Sequence, residues 1–360
     1  MKAESVQMLS SASLFASAFL VPLILKDALN VDEAGIGLVI AAYSTAFLLS
    51  SWLFGRLADV RGRKRVLQAG LLACTIVSAL QFFATSVELL VAARIAMGFA
   101  AGTFPSALMA YAYESKGRVG RYASFGALGW GVGTLLAGFF AVYSLFAPFL
   151  VSAVLFGIAF GVSLALPFPK QTLLKVPRIP IAVIKRNAAS YVAVLLRHTG
   201  ANMVWVIYPI FLATINPDPM WIGIVYAVNA GTQFALMPLL DRFDGKKLLA
   251  VGLALSALAF IVFAVSDSEW MVIGGQVILG SSWSCAYVGS LKSILEKGSE
   301  RSTSSGLLDS TLNLSAIIGS MIGGFVALSF GDCATMYVAA VMSLVALGVF
   351  LTMLNGKASA

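Results

Sequence analysis

The sequence predicts an all-α membrane protein of twelve transmembrane helices, built as two six-helix bundles related by a pseudo-two-fold axis. Three observations predict it. The chain is 59 % hydrophobic and only 11 % charged, with a mean hydropathy of +0.92. A soluble domain carries about 25 % charged residues, so too little polar surface exists here to cover a soluble core. The 360 residues resolve into twelve apolar runs, each long enough to cross a bilayer as a helix. Finally, the basic residues sort by side, and the two halves repeat one another.

The runs, in order, are 1–25, 34–54, 66–84, 89–111, 122–142, 145–166, 190–213, 221–240, 248–265, 270–291, 304–328 and 334–354. They are too long for tilted barrel strands and do not alternate apolar with polar residues. Run 1 carries one lysine and an Ala16-Ser17-Ala18 triplet, as a signal peptide would. It is read as the first span, because its apolar part is long, lacks a clear small-residue stop and is needed to complete the first half. Runs 2 and 3 flank residues 55–65, Gly-Arg-Leu-Ala-Asp-Val-Arg-Gly-Arg-Lys-Arg, of which five are basic. Gly62 permits a tight turn there, and Asp59, the only acid, precedes Arg63 by one helical turn. Run 4 holds Arg94 a few residues in from Glu88. Arg94 is expected either to snorkel to the outer surface or to line a cavity for an anionic solute.

Run 5 is rich in glycine (Gly126, Gly129, Gly131, Gly133, Gly138), which lets helix backbones approach closely and suits a seam that slides or rocks. Residues 167–189, between runs 6 and 7, form the longest break. They hold four prolines, five basic residues and no acid. Part of this linker, 179–184, is expected either to lie along the inner membrane surface or to be solvated. Run 7 carries Arg197 and His198 about two turns in, then Asn202, Trp205 and Tyr208 at three-residue steps near one face. Run 8 has Asn229 and Gln233 four apart, run 10 has Gln276, and run 11 has Asp309 and Asn313. Arg197 or His198 lies at the same depth as Asp309, so either a buried pair or a proton-carrying Asp309 or His198 is expected. Tyr43, Thr45 and Tyr111 are further polar candidates for a cavity wall. Each uncharged polar residue taken singly is also explained by interhelical hydrogen bonding.

With the N-terminus inside, every basic residue falls in an inner segment except Lys26, outside, and Arg94 and Arg197, within spans. This sorting supports twelve spans with both termini cytoplasmic. Asp59 and Asp241 lie 182 positions apart, and the same shift relates Arg94 to Gln276, Gly98 to Gly280 and Glu114 to Glu296. Gly37 and Gly223 lie 186 apart. The repeats are therefore parallel, with residues 1–166 and 190–360 as the two bundles. Cys74, Cys285 and Cys333 are too few and scattered for a disulfide framework. The net charge of +8 sits in short loops, which argues against nucleic acid.

Gly55, Leu57, Ala58, Asp59, Gly62, Arg63 and Lys64 resemble the loop motif of the major facilitator superfamily of secondary transporters. Arg94, Gly98, Gly102 and Pro105 resemble its helix 4 pattern, and residues 241–247 are a degenerate second copy of the loop. Span 5 lacks the Gly-Pro pair of the drug/proton antiporter subgroup. The resemblance implies alternating access, with two halves rocking about a midplane site. It implies a latch in which Asp59 faces the start of helix 11 near residues 302–305 and Arg63 pairs with Glu114. Gly55, Gly62, Lys64 and Asp241 belong to the same latch set.

The function expected is secondary active transport of a small solute across the plasma membrane by a monomer. Import or export, and proton coupling or facilitated diffusion, are all compatible with the sequence. The alternative is a transporter fold serving as a sensor or partner-binding protein. An enzyme is not expected, since there is one histidine, no His/Glu zinc pattern and no Gly-x-Ser-x-Gly. Neither a cofactor nor a metal is expected.

Overall fold

The structure, a computed structural model, describes residues 2–18, 21–31, 33–116, 118–167, 171, 173–216 and 219–355. Phe19 and Leu20 of the first run, Pro169 and Lys170 of the linker, and Lys357 in the tail lie outside the described residues. Twelve helical elements account for the spans. They are α1 (Lys2–Ala18), α2 (Glu33–Arg61), α3 (Arg63–Gln81), α4 (Val87–Thr103, resuming as Pro105–Lys116), α5 (Val119–Ala141) and α6 (Ala147–Leu164). The second set is α7 (Ile181–Ile215), α8 (Pro219–Leu236, tightening to a 3₁₀ turn at Met237–Arg242), α9 (Gly245–Ala264), α10 (Glu269–Leu295), α11 (Arg301–Phe330) and α12 (Asp332–Asn355). Among the described residues, nine helices are long and apolar enough to span by length and composition alone. The other three are α1, α3 and α7. The described part of α1 ends at Ala18, α3 opens on Arg63-Lys64-Arg65, and Arg197, His198 and Asn202 dilute α7.

Two boundaries differ from the sequence expectation. Pro105 interrupts α4, because proline donates no N–H and its ring clashes with the carbonyl one turn back. Helix α7 begins at Ile181, directly after Pro180, rather than near residue 190. Pro177 and Pro180 hold only the preceding stretch out of helix, and residues 181–189 extend the span.

Contacts divide the chain into two compact units, Met1–Val183 with Gly298–Asn313, and Ile184–Lys297 with Leu314–Ala360. Within the first, α1 packs on α5 and α6, α2 on α4, and α3 on α4 and α6. Within the second, α8 packs on α10, and α9 on α10 and α12. The pairings match under the repeat, and glycines set them. A Cβ on Gly98 would strike the carbonyl of Tyr43, and one on Gly280 would reach the carbonyl of Asn229 at 3.0 Å. These partners reproduce the 182- and 186-residue shifts seen in the sequence. Gly129 and Gly133 likewise seat α5 on Met8 and Ala12 of α1, as Gly319 and Gly323 seat α11 on Thr199 and Met203 of α7.

The expected sliding seam on α5 is corrected by this packing. Gly126, Gly129 and Gly133 press α5 onto α1 inside the first unit, while Gly138 has nothing within 4 Å of a notional Cβ. Small residues here serve tight packing, because in lipid close backbone contact replaces the hydrophobic drive.

Candidate functional site

The densest polar constellation surrounds the α2–α3 turn, wholly within the first unit. Gly62 has φ 106°, a conformation that side chains resist, and so lets α2 and α3 meet in one residue. Gly62→Ala is therefore expected to cost about 1–3 kcal/mol through backbone strain, although no atom crowds the site. Thermal unfolding in detergent tests this, and an unchanged midpoint would refute it.

The turn delivers Asp59 and Arg63, one helical turn apart, to the start of α11. Asp59 is fully buried and accepts from Ser302 N–H (3.3 Å), Thr303 N–H (2.8 Å) and the Thr303 hydroxyl (2.8 Å). It thus caps α11 from another helix, where unpaired N–H groups and the helix dipole favour an anion. Arg63 Nη2 donates to Asp59 at 3.0 Å, Nε donates to Ser302 Oγ at 2.8 Å, and Nη1 pairs with Glu114. Glu114 also receives Arg301 at 2.7 Å, and Arg301 stacks over Tyr113. Close approach is possible because Gly55 and Gly306 face one another; a Cβ on Gly55 would meet Ser302 O at 2.8 Å. Charge-assisted bonds of this kind are about twice as strong as neutral ones.

The structure therefore brings Gly55, Asp59, Gly62, Arg63 and Glu114 together. Lys64 is exposed. The contact of Asp59 with Ser302 and Thr303 falls within the expected 302–305 stretch, whereas sequence reasoning missed Arg301, which opens the same helix. The loop between α8 and α9 is the second copy of this turn. There Asp244 caps its own helix through Lys247 N–H at 2.9 Å. The buried Lys292 donates to the carbonyls of Asp241 and Phe243, and Glu296 is exposed.

Inside the spans, Arg94 does not snorkel. It is 4 % exposed, donates to Gln81 at 3.2 Å and lies 4.1 Å from the Tyr43 ring centroid. Thr45 bonds back to Ala41 of its own helix, and Tyr111 donates to the Pro167 carbonyl. In the second unit, Arg197 donates to Ser256 (2.7 Å) and Ser282 (3.1 Å), tying α7 to α9 and α10. His198 stacks on Trp283, with Nδ1 3.4 Å from Arg197. Asn202 and Asn313 each donate to the carbonyl one turn back on their own helix, the latter that of Asp309. Asp309 itself is half-buried.

Five of the sequence candidates converge. Asn229 donates to Gln276 at 2.6 Å, and Gln233 donates to Asn229. Beside this amide row, Trp205 contacts Tyr208 and Tyr226 at 5.6 and 5.5 Å, and Tyr208 contacts Phe263 at 5.0 Å. Tyr208 and the amides are buried, whereas Trp205 and Tyr226 are half-buried. The result is an aromatic edge backed by hydrogen-bonding amides in an apolar surround. Gln276 with Asn229 occupies the place that Arg94 with Tyr43 holds in the first unit.

Duplicated bundles of spanning helices, with polar clusters inside each, define a polytopic secondary transporter. The chain belongs to the Major Facilitator Superfamily, whose profile matches residues 5–188 and 190–359. It is 27 % identical over 290 residues to the class C tetracycline resistance protein of Escherichia coli, covering 72 % of each chain. It is 26 % identical over 344 residues to the class G tetracycline resistance protein of Vibrio anguillarum, covering 85 % of this chain and 84 % of that one. The fold matches the crystal structure of the human organic anion transporter MFSD10 (TETRAN), with a TM-score of 0.81 at 15 % identity over 97 % of this chain and 98 % of that one. It also matches a bacterial homologue of the iron transporter ferroportin, with a TM-score of 0.79 at 13 % identity over 98 % of each. The chain is thus a multi-pass membrane transporter that moves a small solute by alternating access.

Proposed function

We propose that the protein exports a planar organic molecule of drug size, driven by proton entry. The observation that carries the substrate class is the aromatic–amide cluster of Trp205, Tyr208, Tyr226, Asn229, Gln233 and Gln276. Half-buried rings offer stacking to a flat solute, and the amides offer both donors and acceptors. The tetracycline resistance relatives support this reading, since tetracycline is a fused-ring molecule studded with polar groups. The moving bodies are residues 1–166 and the bundle that α7 opens at Ile181, joined by the linker from 167 to 180, in a monomer in the plasma membrane with both termini cytoplasmic. The Asp59–Arg63–Glu114–Arg301 cluster acts as the latch of one end state.

Asp309 is the proposed proton carrier. It is a carboxylate two turns into a spanning helix, where ionisable groups are costly and usually functional. His198 is held between Arg197 and Trp283 and is assigned a structural role. The test is purified protein in liposomes, with tetracycline as the first probe and an imposed pH gradient. The wild type should accumulate the probe against its gradient when ΔpH is applied. Asp309→Asn should lose that acceleration while retaining downhill exchange. Equal ΔpH-driven accumulation by Asp309→Asn and wild type would overturn the coupling assignment.

A further inference from the structure

We propose that residues 173–185 form a strap that docks on the membrane surface by binding anionic phospholipid headgroups. The strap runs into the first turn of α7 from the linker that follows α6 in sequence, so it lies where a span leaves the bilayer. It alternates exposed aliphatic and exposed basic side chains. Leu173, Ile179 and Ile181 are 57, 61 and 55 % exposed, and Lys175 and Arg178 are exposed among them. Val176, Pro180 and Val183 turn inward and are buried.

The backbone is fixed, so this outward face is built in. Leu174 N–H donates to the Asp59 carbonyl at 3.0 Å. Arg56 Nε donates to the carbonyls of Val176 (2.8 Å) and Pro177 (2.9 Å). Gln171 donates to the Ala58 carbonyl and accepts from Arg63 N–H. These bonds pin the strap to the α2–α3 turn, whose Arg61, Lys64 and Arg65 are also exposed.

Charge complementarity selects the occupant. No Asp or Glu occurs between Glu114 and Asp218 in the sequence, so the strap itself carries basic charge only. Aliphatic side chains beside basic ones match the boundary between headgroups and acyl chains, which takes the apolar groups in and leaves the charges at the phosphates. Each Lys or Arg near an anionic surface contributes about a fivefold gain in partition. The pinned backbone removes the ordering cost that a free segment would bear.

The test reads the strap directly and does not depend on what the protein transports. Ile179→Cys is made in a Cys333→Ser background, leaving the buried Cys74 and Cys285 in place. The full chain is labelled with an environment-sensitive fluorophore and placed in vesicles of phosphatidylcholine, with or without about one-third phosphatidylglycerol. The emission should shift to the blue with phosphatidylglycerol and revert in high salt. Lys175→Gln with Arg178→Gln should abolish the shift, and Lys175→Arg with Arg178→Lys should retain it. Identical emission in both vesicle types, or a shift indifferent to the neutral pair, would overturn the proposal. So would a shift produced in neutral vesicles by an added polyglutamate peptide and not by phosphatidylglycerol, since that would assign the strap to an acidic protein partner.

Discussion

Asp59→Ala is expected to abolish turnover while leaving a protein that still inserts in the membrane. Four donors converge on this carboxylate: two backbone N–H groups, the Thr303 hydroxyl and Arg63. Removing it strips the cap from α11 and leaves a buried guanidinium with Glu114 as its remaining carboxylate. Breaking a buried pair costs about 3–5 kcal/mol. If the latch belongs to one of two end states, a loss of about 3 kcal/mol shifts their ratio by about a hundredfold. A carrier that must visit both states then stalls in one. Asp59→Asn retains one acceptor for the helix N-terminus and should fall between. Initial rates in liposomes, set beside thiol accessibility at the α2–α3 turn, measure both consequences. Wild-type rates in Asp59→Ala would remove the latch from the mechanism.

The second large effect concerns packing and should change sign along a series of glycines. Gly98→Ala places a methyl against the Tyr43 carbonyl, with backbone atoms on both sides and no flexible side chain to yield. Helices α2 and α4 must separate. That also strains the bond from Ser50 to the Phe99 carbonyl and lifts Arg94 off the Tyr43 ring. Overpacking of this kind costs about 1–3 kcal/mol, and this site belongs at the upper end. Gly280→Ala meets Thr232 Cβ at 2.9 Å and the Asn229 carbonyl at 3.0 Å, looser than the 2.3 Å approach at Gly98, and should cost less. Gly138→Ala meets open space and should stabilise by up to about 1 kcal/mol through helix propensity. Thermal unfolding of the three variants in one detergent tests the order. A Gly98→Ala protein as stable as Gly138→Ala would contradict the close approach.

The same two sites show how much was legible beforehand. The repeat linking Gly98 to Gly280 and Arg94 to Gln276 is written in fixed offsets. Apolar runs, sorted charges and the loop motif therefore disclosed the spans, the duplication and the family without coordinates. Those signals are local and periodic, and a bilayer imposes them directly by demanding long apolar helices and by sorting basic residues.

What no spacing could disclose is which partner each polar group finds, because partners come from helices far apart in the chain. Arg94 had two open readings until Tyr43 and Gln81 closed around it. The α5 glycines were plain in the sequence, but only packing showed that Gly126, Gly129 and Gly133 face α1. The Asp244 cap on α9 was not read from the degenerate second loop, whose glycine stands one residue later than Gly62 does after Asp59. The sequence by itself determined the medium, the helix count and the internal symmetry. Outside the Asp59–Arg63–Glu114 contacts that the family resemblance implied, the tertiary structure decided the hydrogen-bond partners, since in lipid a buried polar group is fixed by whichever neighbouring helix can satisfy it.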